Sequence, residues 1–414
     1  MVSGTPPEPA EPRFSPPRAP ARGPRPTPAR PMKVLMVLTY YHPHWTGLTA
    51  YAKRLAEGLA RRGHTVTVLT SRHVPGLPAE EMIAGVRVLR LPVVARLSRG
   101  VLMPSLPARL WSEIRRCDVV QLHSPILEAP LIALYGKLLG RRVVFTHHGD
   151  LVMPAGAFNR VVERIVTALM GRALAMASRI TVHSCDYARH STFLSPFSEK
   201  LDCIYPPAAL PAPDPIAISR WKTELALTGR PLVGFAGRWV EEKGFDILLE
   251  AIPHVLREIP EAQFLYAGAK PDYEDFRARC EPLLEPVRDR VTMLGLLTDP
   301  QKLADFYGMC DLFALPSRTD CFPSTQIEAI LCGTPLVSAD IPGAREVVEV
   351  TGMGVRVAPR DPVALARGIV QVLRNRDAWV RSPSDVRAVF DAEKSVAEYE
   401  ELLSRLAIPG AAAA

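Results

Sequence analysis

From residue 33 onward the chain alternates short, almost wholly apolar runs with longer segments whose apolar residues recur every three or four positions. Runs of the first kind read as buried strands, and segments of the second as amphipathic helices. Residues 33–38 predict a strand, and 50–62 a helix on which Tyr51, Leu55 and Leu59 share a face. Gly63 ends that helix, and 66–69 predict the next strand. Further strands are predicted at 86–91, 119–122, 143–146 and 180–182. Such a series builds a parallel sheet with helices on both faces. Five prolines among residues 205–215 interrupt it, as a linker between domains would. A second series follows: a strand at 232–236, a helix from Lys243, and strands at 264–267, 291–294, 312–315 and 336–337. The last predicted helix, 395–406, sets Val396, Tyr399, Leu402 and Leu403 on one side.

The pattern predicts an α/β protein of two Rossmann-like, doubly wound parallel-sheet domains, 32–205 and 217–390, joined by a linker at 206–216. Residues 1–31 are rich in Pro, Ala and Arg, with Phe14 the only aromatic. Such a segment buries too little to offset its ordering entropy, so disorder is expected there; 407–414 are expected to form a second tail. Met32-Lys33 opens the first strand directly, so the expectation is that the preceding tail is dispensable or that the start codon is misassigned.

Composition adds class and compartment. The 414 residues leave room for two cores, and 48% hydrophobic with 22% charged residues fits a soluble globular protein. No apolar run approaches the roughly eighteen residues of a spanning helix, and no basic-then-apolar signal opens the chain, so a cytoplasmic protein is expected. Seven cysteines without a C-x-x-C pair suggest neither a zinc ribbon nor a redox motif. They read as buried free thiols in a reducing compartment. The net +7 conceals a division: residues 32–205 carry 22 Lys+Arg against 11 Asp+Glu, and 206–414 carry 23 against 30. Either the basic half faces an anionic bilayer or phosphorylated lipid, or its arginines decorate solvated faces. No nucleic-acid partner is expected.

The densest chemistry lies at 317–329, where Asp320 and Glu328 stand eight positions apart between a predicted strand and helix. Asp320 is predicted in the loop, with Phe322, Pro323, Ser324 and Thr325 leading into the helix and Glu328 one turn inside it. Helix N-termini after parallel strands offer free N–H groups to anions. Arg238 and Lys243, between Gly237 and Gly244, flank another strand exit. They read as a diphosphate clamp, or as a surface pair with Glu241 and Glu242. Gly47 follows the first strand after Thr46, where a phosphate loop would sit. His147 and His148 end the predicted strand at 143–146, and His42, His44 and His123 lack the spacing of metal ligands. No D-x-D triplet and no G-x-G-x-x-G occur at the strand exits, which disfavours a metal-bridged diphosphate and a nicotinamide dehydrogenase.

The run D-C-F-P-S-T-Q-I-E-A, followed by G-T-P-L-V, resembles the E-x7-E signature of family 4 retaining glycosyltransferases, with Asp320 for the first Glu and Cys321 for the usual Gly. G-R-W-V-E-E-K-G is similar to that family's diphosphate-binding segment, T-H-H to its T-x-H segment, and P-G-A-R-E-V-V to its G-G-x-x-E-V-V turn. The resemblance implies a GT-B fold, two Rossmann-like domains facing a cleft, with the 391–406 helix crossing back to the first. It implies a hexosyltransferase using a nucleotide-diphosphate sugar. Glu328 would accept from ribose hydroxyls and Asp320 from hydroxyls of the transferred sugar. The backbone from Phe322 and Pro323 to Ser324 and Thr325 would reach sugar and phosphate. Arg238 and Lys243 would hold the diphosphate, Gly47 would approach it, and His148 would lie near the sugar C6 hydroxyl and anomeric centre. His147 would pack on the other side, and Gly343 would permit close backbone approach. Same-face substitution without metal or other cofactor follows, the leaving diphosphate taking the acceptor's proton. The expected acceptor is a glycan or lipid-linked glycan on the N-terminal half, around 138–142 and the basic helical segment 157–175. That segment would lie on an anionic inner plasma-membrane face or simply cover the sheet. A nucleotide-sugar epimerase and a catalytically silent nucleotide-sugar-binding scaffold are the alternatives.

Overall fold

Strands buried on both faces demand apolar residues at every position, and β1 (Lys33–Val37) at the centre of the first sheet is such a strand from Val34 on, its first residue Lys33 being exposed. The structure, a computed structural model, describes residues 30–97, 100–151, 156–268 and 274–408. The expectations for tails at 1–31 and 407–414 therefore lie almost wholly outside the described residues. Around β1 are β2 (Thr65–Arg72), β3 (Glu80–Ile83), β4 (Val86–Pro92), β5 (Ala95–Leu97), β6 (Gly100–Leu102), β7 (Val119–His123), β8 (Arg142–Thr146), β9 (Arg179–Val182) and β10 (Leu201–Cys203). The second half holds β11 (Leu232–Ala236), β12 (Gln263–Ala267), β13 (Val291–Gly295), β14 (Leu312–Leu315), β15 (Leu336–Ala339) and β16 (Gly354–Val357).

The first sheet runs β10-β9-β8-β7-β1-β2-β4-β3, and the second β13-β12-β11-β14-β15-β16. The second is parallel throughout. Its order reverses between β11 and β14, and the order of the first between β1 and β7. Crevices at the carboxyl ends of those strands are where doubly wound folds bind ligands. The described residues thus form the two Rossmann-like α/β domains of a GT-B fold.

Several elements depart from expectation. The first sheet is not wholly parallel, because β3 pairs antiparallel with β4 at its edge, and β5 and β6 form a separate hairpin. The first helix starts at Gly47 rather than 50, since Thr46 and Thr49 cap it reciprocally. The helix predicted from Lys243 starts at Phe245, after a 3-10 turn at Glu241–Lys243. A helix, Pro215–Glu224, begins inside the expected 206–216 linker, with Asp214 accepting from Ile216 N–H as its cap. Cysteine chemistry also needs correction: Cys185 and Cys203 form a disulfide, their Cα atoms 5.5 Å apart. Strand β10 pairs parallel with β9, which carries Cys203 to the start of the helix Cys185–His190; spacing along the chain gives no hint of that pairing.

The helix Ala392–Leu406 crosses back to the first half. Its Val396, Tyr399, Leu402 and Leu403 join a core with Met36, Leu55, Leu59 and Val66. Glu400 accepts from Arg62 at 2.6 Å and lies 2.7 Å from the His64 ring. Gly58 is what lets the helices touch, because a Cβ there would sit 2.6 Å from a Val396 methyl. Where the chain passes between halves, the rings of Tyr205 and Phe390 pack at 4.9 Å and Phe322 stacks on Tyr205 at 5.4 Å.

Candidate functional site

Two loops leave the second sheet at its switch point. The β11 exit carries Arg238, which is exposed and has no ion-pair partner among the described residues. Its 3-10 turn ends at Gly244, where φ is 70° and a Cβ would lie 2.1 Å from the Pro316 carbonyl oxygen. Only glycine lets the two loops pass so closely. Arg318 then ties them, donating both terminal nitrogens to Asp246 at 2.7 and 2.8 Å. Lys243 is thereby brought to Asp320, and its ammonium donates to that carboxylate. The two expected donor-binding groups neutralise each other here.

Beyond Asp320 the backbone turns through Cys321, Phe322 and Pro323 into the helix Ser324–Leu331, whose N-cap makes no side-chain bond. Its first-turn N–H groups at Ser324 and Thr325 are the unsatisfied donors every helix start leaves. The buried Thr325 hydroxyl has no hydrogen-bond partner among the described residues. Glu328, 7% exposed, accepts from Arg54 at 3.2 and 3.3 Å through Oε1 and from the Tyr307 hydroxyl at 3.2 Å through Oε2. Burial, then the adjacent Glu328 charge, holds the Tyr307 hydroxyl well above its ordinary pKa, so it stays a donor. Gly47, in the opposite half, faces this helix: a Cβ on it would stand 3.9 Å from the Ser324 hydroxyl.

Three adjacent parallel strands, β7, β8 and β9, lead into His123, His148 and His183. Nδ1 of His123 lies 3.0 Å from Nε2 of His148, whose Nδ1 lies 3.1 Å from Nε2 of His183. Burial pushes His123 down to about 3 and His183 to about 4, and holds His148 well below its ordinary value. All three rings are therefore neutral near pH 7, and both ring nitrogens of His148 are engaged by its neighbours. The His148 carbonyl accepts from the Cys321 thiol at 2.9 Å, and burial pushes that thiol up to about 12. His147 turns away, 3.1 Å from Asp150 and packed on Tyr187 and Phe193.

A further seam joins the halves. Asp186 accepts from Arg345 at 2.9 and 2.7 Å and from the Gly343 N–H at 3.0 Å. Glu346, also buried, accepts from the hydroxyls of Ser184 and Tyr205. Arg54, Tyr307, His183 and Asp186 are site residues that sequence reasoning does not find, and Glu346, the Glu of the P-G-A-R-E-V-V run, is one to which it gives no role; strands closing on histidine are the one signal available for His183. Among the described residues no cluster of His, Cys, Asp and Glu is arranged to hold a metal ion.

Residues 46–207 match the family described as glycosyl transferase 4-like domain, and 230–375 match glycosyl transferases group 1. A phosphatidyl-myo-inositol mannosyltransferase of Mycobacterium leprae is 25% identical over 374 residues, covering 87% of this chain and 93% of that protein. A D-inositol 3-phosphate glycosyltransferase of Xylanimonas cellulosilytica is 28% identical over 379 residues, covering 83% and 87%. Among solved structures, Anabaena HepE in complex with UDP-glucose superposes with a TM-score of 0.70 at 22% identity, covering 91% of this chain and 100% of that one. Sucrose-phosphate synthase from Thermosynechococcus elongatus gives 0.69 at 22%, covering 91% and 99%.

Proposed function

The chain belongs to the group 1 glycosyltransferases, and from that premise we propose what it transfers and how. It moves a hexose from a nucleoside-diphosphate sugar to a hydroxyl of a glycan or lipid-linked glycan, with retention and without a metal ion. One observation carries this reading: Arg238, Lys243, Asp320 and Glu328 all follow the two strands flanking one switch point, beside free helix N–H groups. Ribose is taken by Glu328, the sugar's hydroxyls by Asp320, and the diphosphate by Arg238, Lys243 and the amides of Ser324 and Thr325. Lys243 then exchanges Asp320 for the diphosphate, which frees the carboxylate for the sugar. The anomeric carbon–oxygen bond to the diphosphate breaks as the acceptor oxygen bonds on the same face. A diphosphate oxygen takes the acceptor's proton, and the cations stabilise the charge left behind. With its ring nitrogens engaged by His123 and His183 and its carbonyl by the Cys321 thiol, His148 offers the sugar no free nitrogen.

The acceptor reading draws on the helix Ala157–Met176. Arg160, Arg164 and Arg172 are exposed on it beside Val161 and Ile165, themselves 53% and 55% exposed. A basic face carrying apolar residues suits an anionic bilayer, and the mycobacterial relative is named for a phosphatidylinositol acceptor. No described helix is long and apolar enough to cross a membrane. Attachment is therefore proposed to be peripheral, at the cytoplasmic face of the plasma membrane.

Calorimetry across UDP-, GDP- and ADP-sugars, with and without EDTA, tests the donor reading. Binding by one of them, insensitive to EDTA and lost in Glu328→Ala, is expected. Binding without turnover would favour a silent scaffold, and no binding would remove the reading. Cosedimentation with anionic vesicles, weakening with salt, is expected of the membrane face.

A further inference from the structure

Arg54 reaches across the cleft from one half to the buried carboxylate of the other. It lies seven residues beyond Gly47 on the helix Gly47–Arg61, two turns on and so on the same face. Gly47 stands over Ser324 and Arg54 over Glu328, one turn further along the opposing helix. Helical side chains lean toward their own N-terminus, which directs Arg54 back onto Glu328. Both terminal nitrogens of Arg54 go to Oε1 alone, and Tyr307 goes to Oε2. Oε1 is thus filled by the guanidinium, while Oε2, accepting only from Tyr307, keeps a lone-pair site for a ligand hydroxyl. The adjacent cation cannot substitute, because Lys53 is paired with Glu57 on its own helix at 2.7 Å. No other Lys or Arg pairs with Glu328 among the described residues.

We infer that Arg54 is a positioning residue for the donor's ribose: from the opposite half it holds Oε1 of Glu328 and so turns Oε2 to receive a ribose hydroxyl. The inference rests on the donor-site reading above. Ribose recognition is thereby tied to closure, because the guanidinium and the carboxylate it orients belong to different halves. A carboxylate this buried, left without its cation, loses both its charge compensation and its fixed orientation.

The experiment compares a ribonucleotide with its 2′-deoxy form, using whichever of UDP, GDP and ADP binds most tightly. Calorimetric affinities are measured for wild type, Arg54→Met, Arg54→Lys and Glu328→Gln, with folding checked by thermal melting. Wild type is expected to prefer the ribonucleotide by about tenfold or more, as a site built around a hydroxyl rejects the analogue lacking it. Arg54→Met is expected to shrink that preference to about twofold or less, and Arg54→Lys to retain part of it. The double variant with Glu328→Gln is expected to be no worse than Glu328→Gln alone. A purely structural role would weaken both nucleotides equally and leave the preference intact; that result, or unchanged affinities, overturns the inference. Absence of binding to any nucleotide by wild type would remove the donor-site reading itself, and this inference with it.

Discussion

A Cβ on Gly343 would lie 2.3 Å from the carbonyl oxygen of Cys321 and 2.8 Å from that of Asp320. The loop that carries Asp320 and the turn that grips Asp186 are therefore packed backbone to backbone. With φ at 84°, Gly343 also occupies backbone space that costs an alanine about 1–2 kcal/mol, before a clash that neither backbone can yield to. Gly343→Ala is expected to lower Tm by roughly 5 °C or more and to abolish donor binding. An unchanged melt with intact binding would show that the loops do not pack this way.

Glu346 makes the seam sensitive to pH. Burial raises its carboxyl pKa above the ordinary 4.5, while bonds from Ser184 and Tyr205 pull it back part of the way. The folded state keeps that proton to higher pH than the unfolded chain does. Its stabilisation is complete below 4.5 and is lost as pH climbs through the raised value. Wild-type Tm is expected to carry a component that declines between 4.5 and the raised value and then levels off, and that Glu346→Gln lacks. Identical Tm–pH curves would contradict it.

Lys243 pairs with Asp320, and in the proposed reaction it also serves the diphosphate. Lys243→Met is expected to cut kcat by roughly 10²–10³, the scale of losing one preorganised charge at a leaving group. Steady-state kinetics with the preferred donor would check it, and a change confined to KM would assign Lys243 to ground-state binding only.

The Cys185–Cys203 disulfide closes a separation of 18 residues beside Ser184, Asp186 and Tyr205, three groups that hold the second half. A cross-link over a loop of that size stabilises by about 3 kcal/mol. Cys185→Ser is expected to melt lower than wild type under oxidising conditions and together with it in dithiothreitol. A wild-type Tm indifferent to reductant would mean that the bond does not form.

Gly58→Ala should favour the helix by about 1 kcal/mol on propensity, yet net destabilisation is expected because the new methyl meets the stiff Val396 side chain. Pairing it with Val396→Ala is expected to recover part of the loss. Additive effects in the double-variant cycle would deny the contact.

What the sequence makes legible follows from range. Strands such as β1 and β11 declare themselves through unbroken apolar runs, because both faces are covered. The edge strand β3 does not, since Glu80 and Glu81 read as loop until β4 is seen beside them. Asp320 and Glu328 are legible because one turn and one helix carry both. Arg54 is 274 residues from Glu328, and on its own helix it reads as a solvated arginine. The imidazole chain needs three strands in register, and the disulfide needs β10 on β9. Only the paired sheet supplies either.

The two passages of the chain between halves meet where Tyr205 packs on Phe390. Threads that cross at one spot allow swinging and resist sliding, so relative motion has a pivot. Phe322, two residues past Asp320, is mounted on that pivot. A small shift of the loop at 320–323 would act there on the short arm of a lever, with the far rim of the cleft on the long one.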